Sequence, residues 1–153
     1  MAITSALCTS FKQEILVAGH DFTTTTGDVF KLVLIKATPT GTYGAASTNY
    51  TDITGNSDEA SGAVYSTGGE TITSITPTTS GTTAYCDFSP DITLSSETIS
   101  ADGCMIINST ASGAAISTHD FGGTKTSSGG DFVITFPTAD SSTATYATNK
   151  NQK

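Results

Sequence analysis

The chain has 153 residues, a net charge of −8, a pI near 4.3 and only six lysines and arginines. That leaves no basic stripe to neutralise a phosphate backbone, so nucleic acid is not an expected partner. About a third of the residues are serine or threonine and 36% are hydrophobic, and the length suits one domain with a core that needs no disulfide staples.

The N-terminal Met1-Ala2-Ile3-Thr4-Ser5-Ala6-Leu7 lacks the charged and apolar regions of a signal peptide. No run approaches the roughly 20 apolar residues of a membrane span, so neither secretion nor membrane insertion is expected. Ser10 to Ala18 reads as a short helix, with Ser10 as its cap, Gln13 completing a capping box, and Phe11, Ile15 and Ala18 on one face. Gly19 is the expected stop. Val29 to Ile35 is a near-continuous apolar run, which predicts a central strand buried on both faces.

Thr38 to Asn49 reads as a long surface loop, and Tyr50 to Ile53 as a brief edge strand or a helical turn. Ala63-Val64-Tyr65, the turn Ser66-Thr67-Gly68-Gly69 and the alternating Glu70 to Ile75 predict a hairpin. Thr82 to Phe88 predicts a strand with Ala84, Cys86 and Phe88 on one face, ended by Ser89-Pro90. Ile92, Leu94 and Ile99 continue as an edge segment; Cys104 to Asn108 and Ala114 to Phe121 form a further hairpin around Ser109 to Gly113. Phe132 to Phe136 is the last strong strand, after a turn at Ser127-Ser128-Gly129-Gly130.

These elements predict an all-β fold, an antiparallel β-sandwich with a jelly roll as one form it could take, plus one short N-terminal helix. A single domain spans 1–153, with 138–153 as an extended C-terminal tail that has little to pack. An ordered tail would point to a neighbouring subunit holding it.

Cys8, Cys86 and Cys104 are odd in number and show no CxxC spacing, which fits free thiols in a reducing cytoplasm. His20-Asp21-Phe22 before Gly27-Asp28, and His119-Asp120-Phe121 before Gly130-Asp131, form an internal echo that shared hairpin chemistry explains better than duplication. Each His-Asp pair could be imagined as a base and its orienter, but neighbours on a strand face opposite ways and no Gly-x-Ser-x-Gly elbow exists. No catalytic residue is assigned, and no enzyme is expected.

Asp52, Thr54, Asn56 and Asp58 resemble the start of a calcium loop, but Ser57 replaces its glycine and Ala63 its bidentate glutamate. No metal site follows. Gly68-Gly69 and Gly122-Gly123 lack the lysine of a phosphate loop, and Tyr43, Tyr50, Tyr65, Tyr85 and Tyr146 show no spacing that sets them apart as a binding platform. No cofactor is assigned.

The order of four motifs carries a resemblance: Cys8-Thr9-Ser10-Phe11-Lys12-Gln13-Glu14-Ile15-Leu16; His20-Asp21-Phe22 with Asp28 to Leu34; Ser61-Gly62-Ala63-Val64-Tyr65 through Ile72; and Asp120-Phe121-Gly122-Gly123-Thr124-Lys125 through Ile134. Together they resemble a family of small virion structural proteins of tailed bacteriophages of the marine type, over most of the chain up to Pro137. The chain departs from that pattern near Pro90 to Ile99, where it lacks a tryptophan.

The resemblance implies a non-enzymatic capsid decoration or cement protein that binds the outer shell and stabilises it, assembled in the host cytoplasm and located in the virion. Implied partners are the major capsid protein or other virion proteins, with self-association and no nucleic acid or membrane. A tail, neck or fibre-associated adhesin module is the alternative within virions. A carbohydrate-binding domain is the alternative outside them.

Overall fold

A computed structural model of the chain describes residues 2–148, Thr148 by its backbone alone. Two antiparallel sheets face one another across one hydrophobic cluster. The five-stranded sheet runs β1 (Ala6–Leu7), β7 (Ala114–Ile134), β6 (Ile92–Asn108), β2 (Phe30–Lys36) and β3 (Glu70–Ile72). The three-stranded sheet runs β4 (Ser74–Ser80), β5 (Thr83–Phe88) and β8 (Tyr146–Thr148). This is the all-β sandwich with a short N-terminal helix that the sequence predicts.

That helix, α1, spans Thr9–Leu16 and begins one residue early. Cys8 takes the extended N-cap position without a side-chain cap, so Ser10 falls inside the first turn and its buried Oγ finds no partner among the described residues. Phe11 is buried, whereas Ile15 stands half-exposed. Ala18, at φ 57°, takes the left-handed position expected of Gly19, and Gly19 N–H closes on the Glu14 carbonyl at 2.8 Å.

β2 is the central core strand. Phe30, Leu32, Val33, Leu34 and Ile35 are all buried because β6 and β3 flank it while both of its faces are covered. The 38–49 loop is anchored inward by Tyr43, whose backbone pairs with the N-terminal segment through Ala2 and Thr4. A second helix, α2 (Thr51–Gly55), settles the 50–53 ambiguity in favour of a helical turn, with Ile53 buried beneath it.

The hairpin expected from 63–65 does not form. Residues 63–65 are irregular, and the expected strand Glu70 to Ile75 breaks at Thr73, so that β3 pairs with β2 while β4 crosses to the other sheet. On β5, Cys86 and Phe88 face inward as expected, but Ala84 is exposed and Asp87 is buried. β6 and β7 each merge two expected strands into one of 17 and 21 residues. The turn at Ser109 to Gly113 forms between them, whereas 127–130 remains paired to β6 as Ser127 with Ile99, Ser128 with Thr98 and Gly130 with Glu97. Gly129, at φ 69°, is the extra residue of a bulge.

The tail is held by its own chain. β8 pairs with β5, and Tyr146 enters an aromatic cluster with Phe11, Phe22 and Phe88 at centroid distances of 5.8 to 5.9 Å. No neighbouring subunit is required to order it through Thr148; the remaining tail positions, 149–153, lie outside the described residues.

Candidate functional site

The two histidines serve different local structures. The His20 side chain is buried, with Nε2 2.8 Å from Glu14 Oε2 and Nδ1 2.9 Å from Asn108 Nδ2. Asn108 Oδ1 accepts from Ala111 N–H and its Nδ2 donates to Asp28, which fixes the amide's orientation. His20 Nδ1 therefore accepts, and Nε2 carries the proton donated to Glu14. Asp21 turns away and accepts from Thr23 N–H, and Asp120 likewise accepts from Gly122 N–H two residues on. The two copies of His-Asp-Phe thus share an aspartate that accepts the N–H two residues on, before a turn in the first and at the β7 bulge in the second, and in neither does the aspartate orient its histidine.

His119 Nε2 lies 2.9 Å from Ser117 Oγ, which is also 2.7 Å from the Tyr146 hydroxyl. A serine and a histidine two apart on a strand share a face, so this contact follows directly from period-2 geometry. Ser117 is 1% exposed and its oxygen is already shared. Burial pushes His119 below the ordinary imidazole value.

The chain's carboxylates are spent almost entirely on its own backbone. Every aspartate and glutamate except Glu14 accepts at least one backbone N–H. Glu97, fully buried on β6, accepts from Ala63, Val64, Tyr65 and Thr98, so the 62–65 segment wraps around its carboxylate. A Cβ at Gly62 would sit 2.6 Å from that carboxyl, which is why the wrap needs glycine there. Burial pushes Glu97 up, but the four N–H bonds outweigh it and hold it below the ordinary carboxylate value. The sequence offers only one cue to this hub: the one glutamate of β6, set in the apolar and hydroxyl-bearing stretch 92–101.

The calcium-loop residues do not converge. Asp52 turns to Thr48 and Asn49 N–H, Asn56 donates to the Asp52 carbonyl, and fully buried Asp58 accepts from Thr40 N–H, Gly41 N–H and the Tyr43 hydroxyl beside Lys36. Among the described residues no group of three or more His, Cys, Asp or Glu could hold a metal ion. Gly68-Gly69 forms a tight turn against β2, where a Cβ on Gly69 would meet the Leu32 carbonyl at 2.7 Å. Tyr50 and Tyr65 both donate to Glu59, and burial with that carboxylate pushes Tyr50 up to about 12. The three cysteines are free and buried, and burial pushes the thiols up, to about 11 for Cys8 and about 12 for Cys86 and Cys104. They pack as small apolar groups.

Two features face outward. Leu16 and Val17 at the end of α1 are 83% and 75% exposed, and Ile15 joins them to an apolar groove lined by Leu7, Phe22, Pro77 and Tyr85. The second feature is the long arm of β7, which pairs with β1 only at Ser117 and Thr118. Beyond 118 its outer edge has no strand partner among the described residues. Residues 121–124 bulge opposite Asp102 alone, with Gly122 and Gly123 at positive φ, and Gly129 makes a second bulge. These bends bring Phe121 and Lys125 near 131–135 and open two hollows, of about 400 and 360 Å³, that share Phe121, Ile134 and Thr135. Sequence reasoning missed them because their walls come from five separate stretches.

No protein-family model, no curated protein and no solved structure matches the chain.

Proposed function

We propose that this protein is a virion structural protein of a tailed bacteriophage that decorates the outer capsid shell and reinforces it. The motif order from Cys8 to Ile134 is the observation that carries the reading. Support comes from where those motifs fall: they are the fold's joints, namely α1, the His20–Asn108–Asp28 centre with β2, the Glu97-wrapped segment with β3, and the bulged arm of β7. A decorating protein acts through many modest contacts multiplied by shell symmetry, without a reacting group.

The contact surface we assign is the apolar tip Ile15-Leu16-Val17 with its adjoining groove. Exposed apolar area of this kind is what association removes from water. Mass spectrometry of purified particles tests the placement: copies on the order of hundreds per particle fit the shell, about a dozen or fewer fit a tail or neck site, and absence overturns the reading. The double substitution Leu16→Asp and Val17→Asp should leave folding within about 0.5 kcal/mol, because both residues are exposed. It should strip the protein from particles in a pelleting assay, and unchanged occupancy would move the contact elsewhere.

A further inference from the structure

The smaller of the two hollows has the makings of a ligand site that the decorating role does not use. Its floor is Leu32, Cys104 and Ile106, each no more than 3% exposed, and its walls include Phe121, Ile134 and Phe136. Pro137 and 143–145 line it from the tail, which is tied down where Phe136 N–H meets Asp91 and Thr145 meets Asp87. A dry apolar cavity of roughly 150 Å³ suffices for benzene; about 360 Å³ therefore has room for a fused bicyclic ring.

Two open polar side chains stand in this largely apolar wall, exposed Thr135 at the rim shared with the neighbouring hollow and half-buried His119. His119 offers Nδ1, which has no hydrogen-bond partner among the described residues, while Nε2 is engaged by Ser117. Lys125 lines the neighbouring hollow and not this one, so among the described residues no lysine or arginine waits here for an anion. Thr143 and Thr145 hydroxyls are already directed to the Thr138 carbonyl and to Asp87. A charged guest would lose its hydration without a counter-ion among the described residues, whereas a neutral one with a single hydroxyl or N–H finds mostly apolar walls, the imidazole nitrogen and a threonine hydroxyl at the exposed rim.

The geometry points to a binding site for one neutral aromatic molecule, of about two fused rings, hydrogen-bonded through a single polar group to His119. The site is independent of the virion reading and would stand if that reading failed. An occupant braces the 135–145 segment from below and so stabilises the β5–β8 attachment, because a ligand that binds only the folded chain raises its apparent stability.

The chain has no tryptophan, so fluorescence of an added naphthol is read against a low protein background. Titration of the full chain with 2-naphthol at pH 7 should saturate at one per chain, with a melting temperature that climbs with naphthol concentration. The matched acid, 2-naphthoate, should bind at least about tenfold more weakly, since its carboxylate is desolvated without a partner. Ala144→Phe, which fills the hollow, should abolish saturation. Binding that persists in this variant, with its circular dichroism unchanged, would place the ligand elsewhere and overturn the assignment. An NMR titration of the wild-type chain guards against a variant that fails to fold: the His119 ring signals should move with 2-naphthol and those of His20 should not. Unmoved His119 signals, absent saturation, or equal affinity for the acid would each overturn the proposal.

Discussion

The centre of the large sheet and the periphery around it are held together by different forces. Along β2 the buried side chains are Phe30, Leu32, Val33, Leu34 and Ile35, and cohesion there is area removed from water. Around it, the segments at 38–43, 59–70 and 138–145 bury few large side chains apiece and are pinned instead by Asp58, Glu59, Glu97, Asp87 and Asp140 accepting backbone N–H groups. The net charge of −8 is thus a surface property that also supplies acceptors for the chain's own N–H groups, three of them, Asp58, Asp87 and Glu97, buried. A chain rich in threonine and poor in apolar residues can order long irregular segments in this way, because N–H groups that strand pairing leaves open find carboxylate acceptors.

The sharpest way to break the comparison is to cut each region and watch its pH dependence. Deletion of 138–153 removes β8 and Tyr146, exposing the faces of Phe11, Phe22 and Phe88; it should destabilise the fold severely, as judged by loss of a cooperative denaturant transition. A truncated chain that unfolds as the full one does would return the tail to a dispensable appendage. Leu34→Ala at the centre of β2 should cost about 2–5 kcal/mol in urea unfolding, by the same amount at pH 7 and pH 5, because no titrating group is involved.

The periphery should answer to acid instead. Burial pushes Asp58 up, yet the bonds from Tyr43, Gly41 and Thr40 together hold its carboxyl below the ordinary value; Glu97 is lowered in the same manner by its four N–H donors. Groups depressed in the folded chain contribute stability that is complete above the ordinary carboxylate range and lost as pH falls through their folded values. These carboxylates should therefore add a decline below about pH 4, separate from a shallower one that begins as pH falls through the ordinary imidazole range, where His119 is held neutral by burial. Asp58→Asn should remove part of the carboxylate decline while lowering stability at pH 7 by about 2–3 kcal/mol, since Lys36 keeps the Ser57 carbonyl but loses its counter-charge and one buried oxygen acceptor becomes a donor. A variant with the same acid slope as the wild type would show that Asp58 is not one of the groups that set it.

The same contrast explains which parts of the structure were legible in the sequence. β2 announced itself because a run of β-branched and apolar residues has one economical use, and β5 was legible from its alternation at Cys86 and Phe88. The merged strands β6 and β7 were not, because Gly122-Gly123 and Gly129-Gly130 have the same chemistry in a bulge as in a turn. Which of the two forms depends on whether β6 continues alongside, and that is a non-local fact. The absent hairpin at 63–75 has a similar origin: the bonds that would have closed it go to Glu97, more than thirty residues away. The hollow beneath the tail was illegible for the same reason, since His119 meets Thr143 to Thr145 only through the fold.

Tyr146 belongs to both regions, and so gives the finest test. Its ring lies among Phe11, Phe22 and Phe88, while among the described residues its hydroxyl meets Ser117 alone, which also meets His119. Tyr146→Phe keeps the ring and deletes the oxygen, leaving Ser117 with His119 as its one remaining side-chain partner. If packing dominates at this joint, the loss should be about 1 kcal/mol, the ordinary worth of one neutral hydrogen bond. Tyr146→Ala should cost about 3–5 kcal/mol by adding a cavity. The gap between the two variants in one denaturation series measures the ring against the hydroxyl. Near-equal losses would mean that the Ser117–Tyr146 bond, and not the aromatic cluster, fastens the tail to the core.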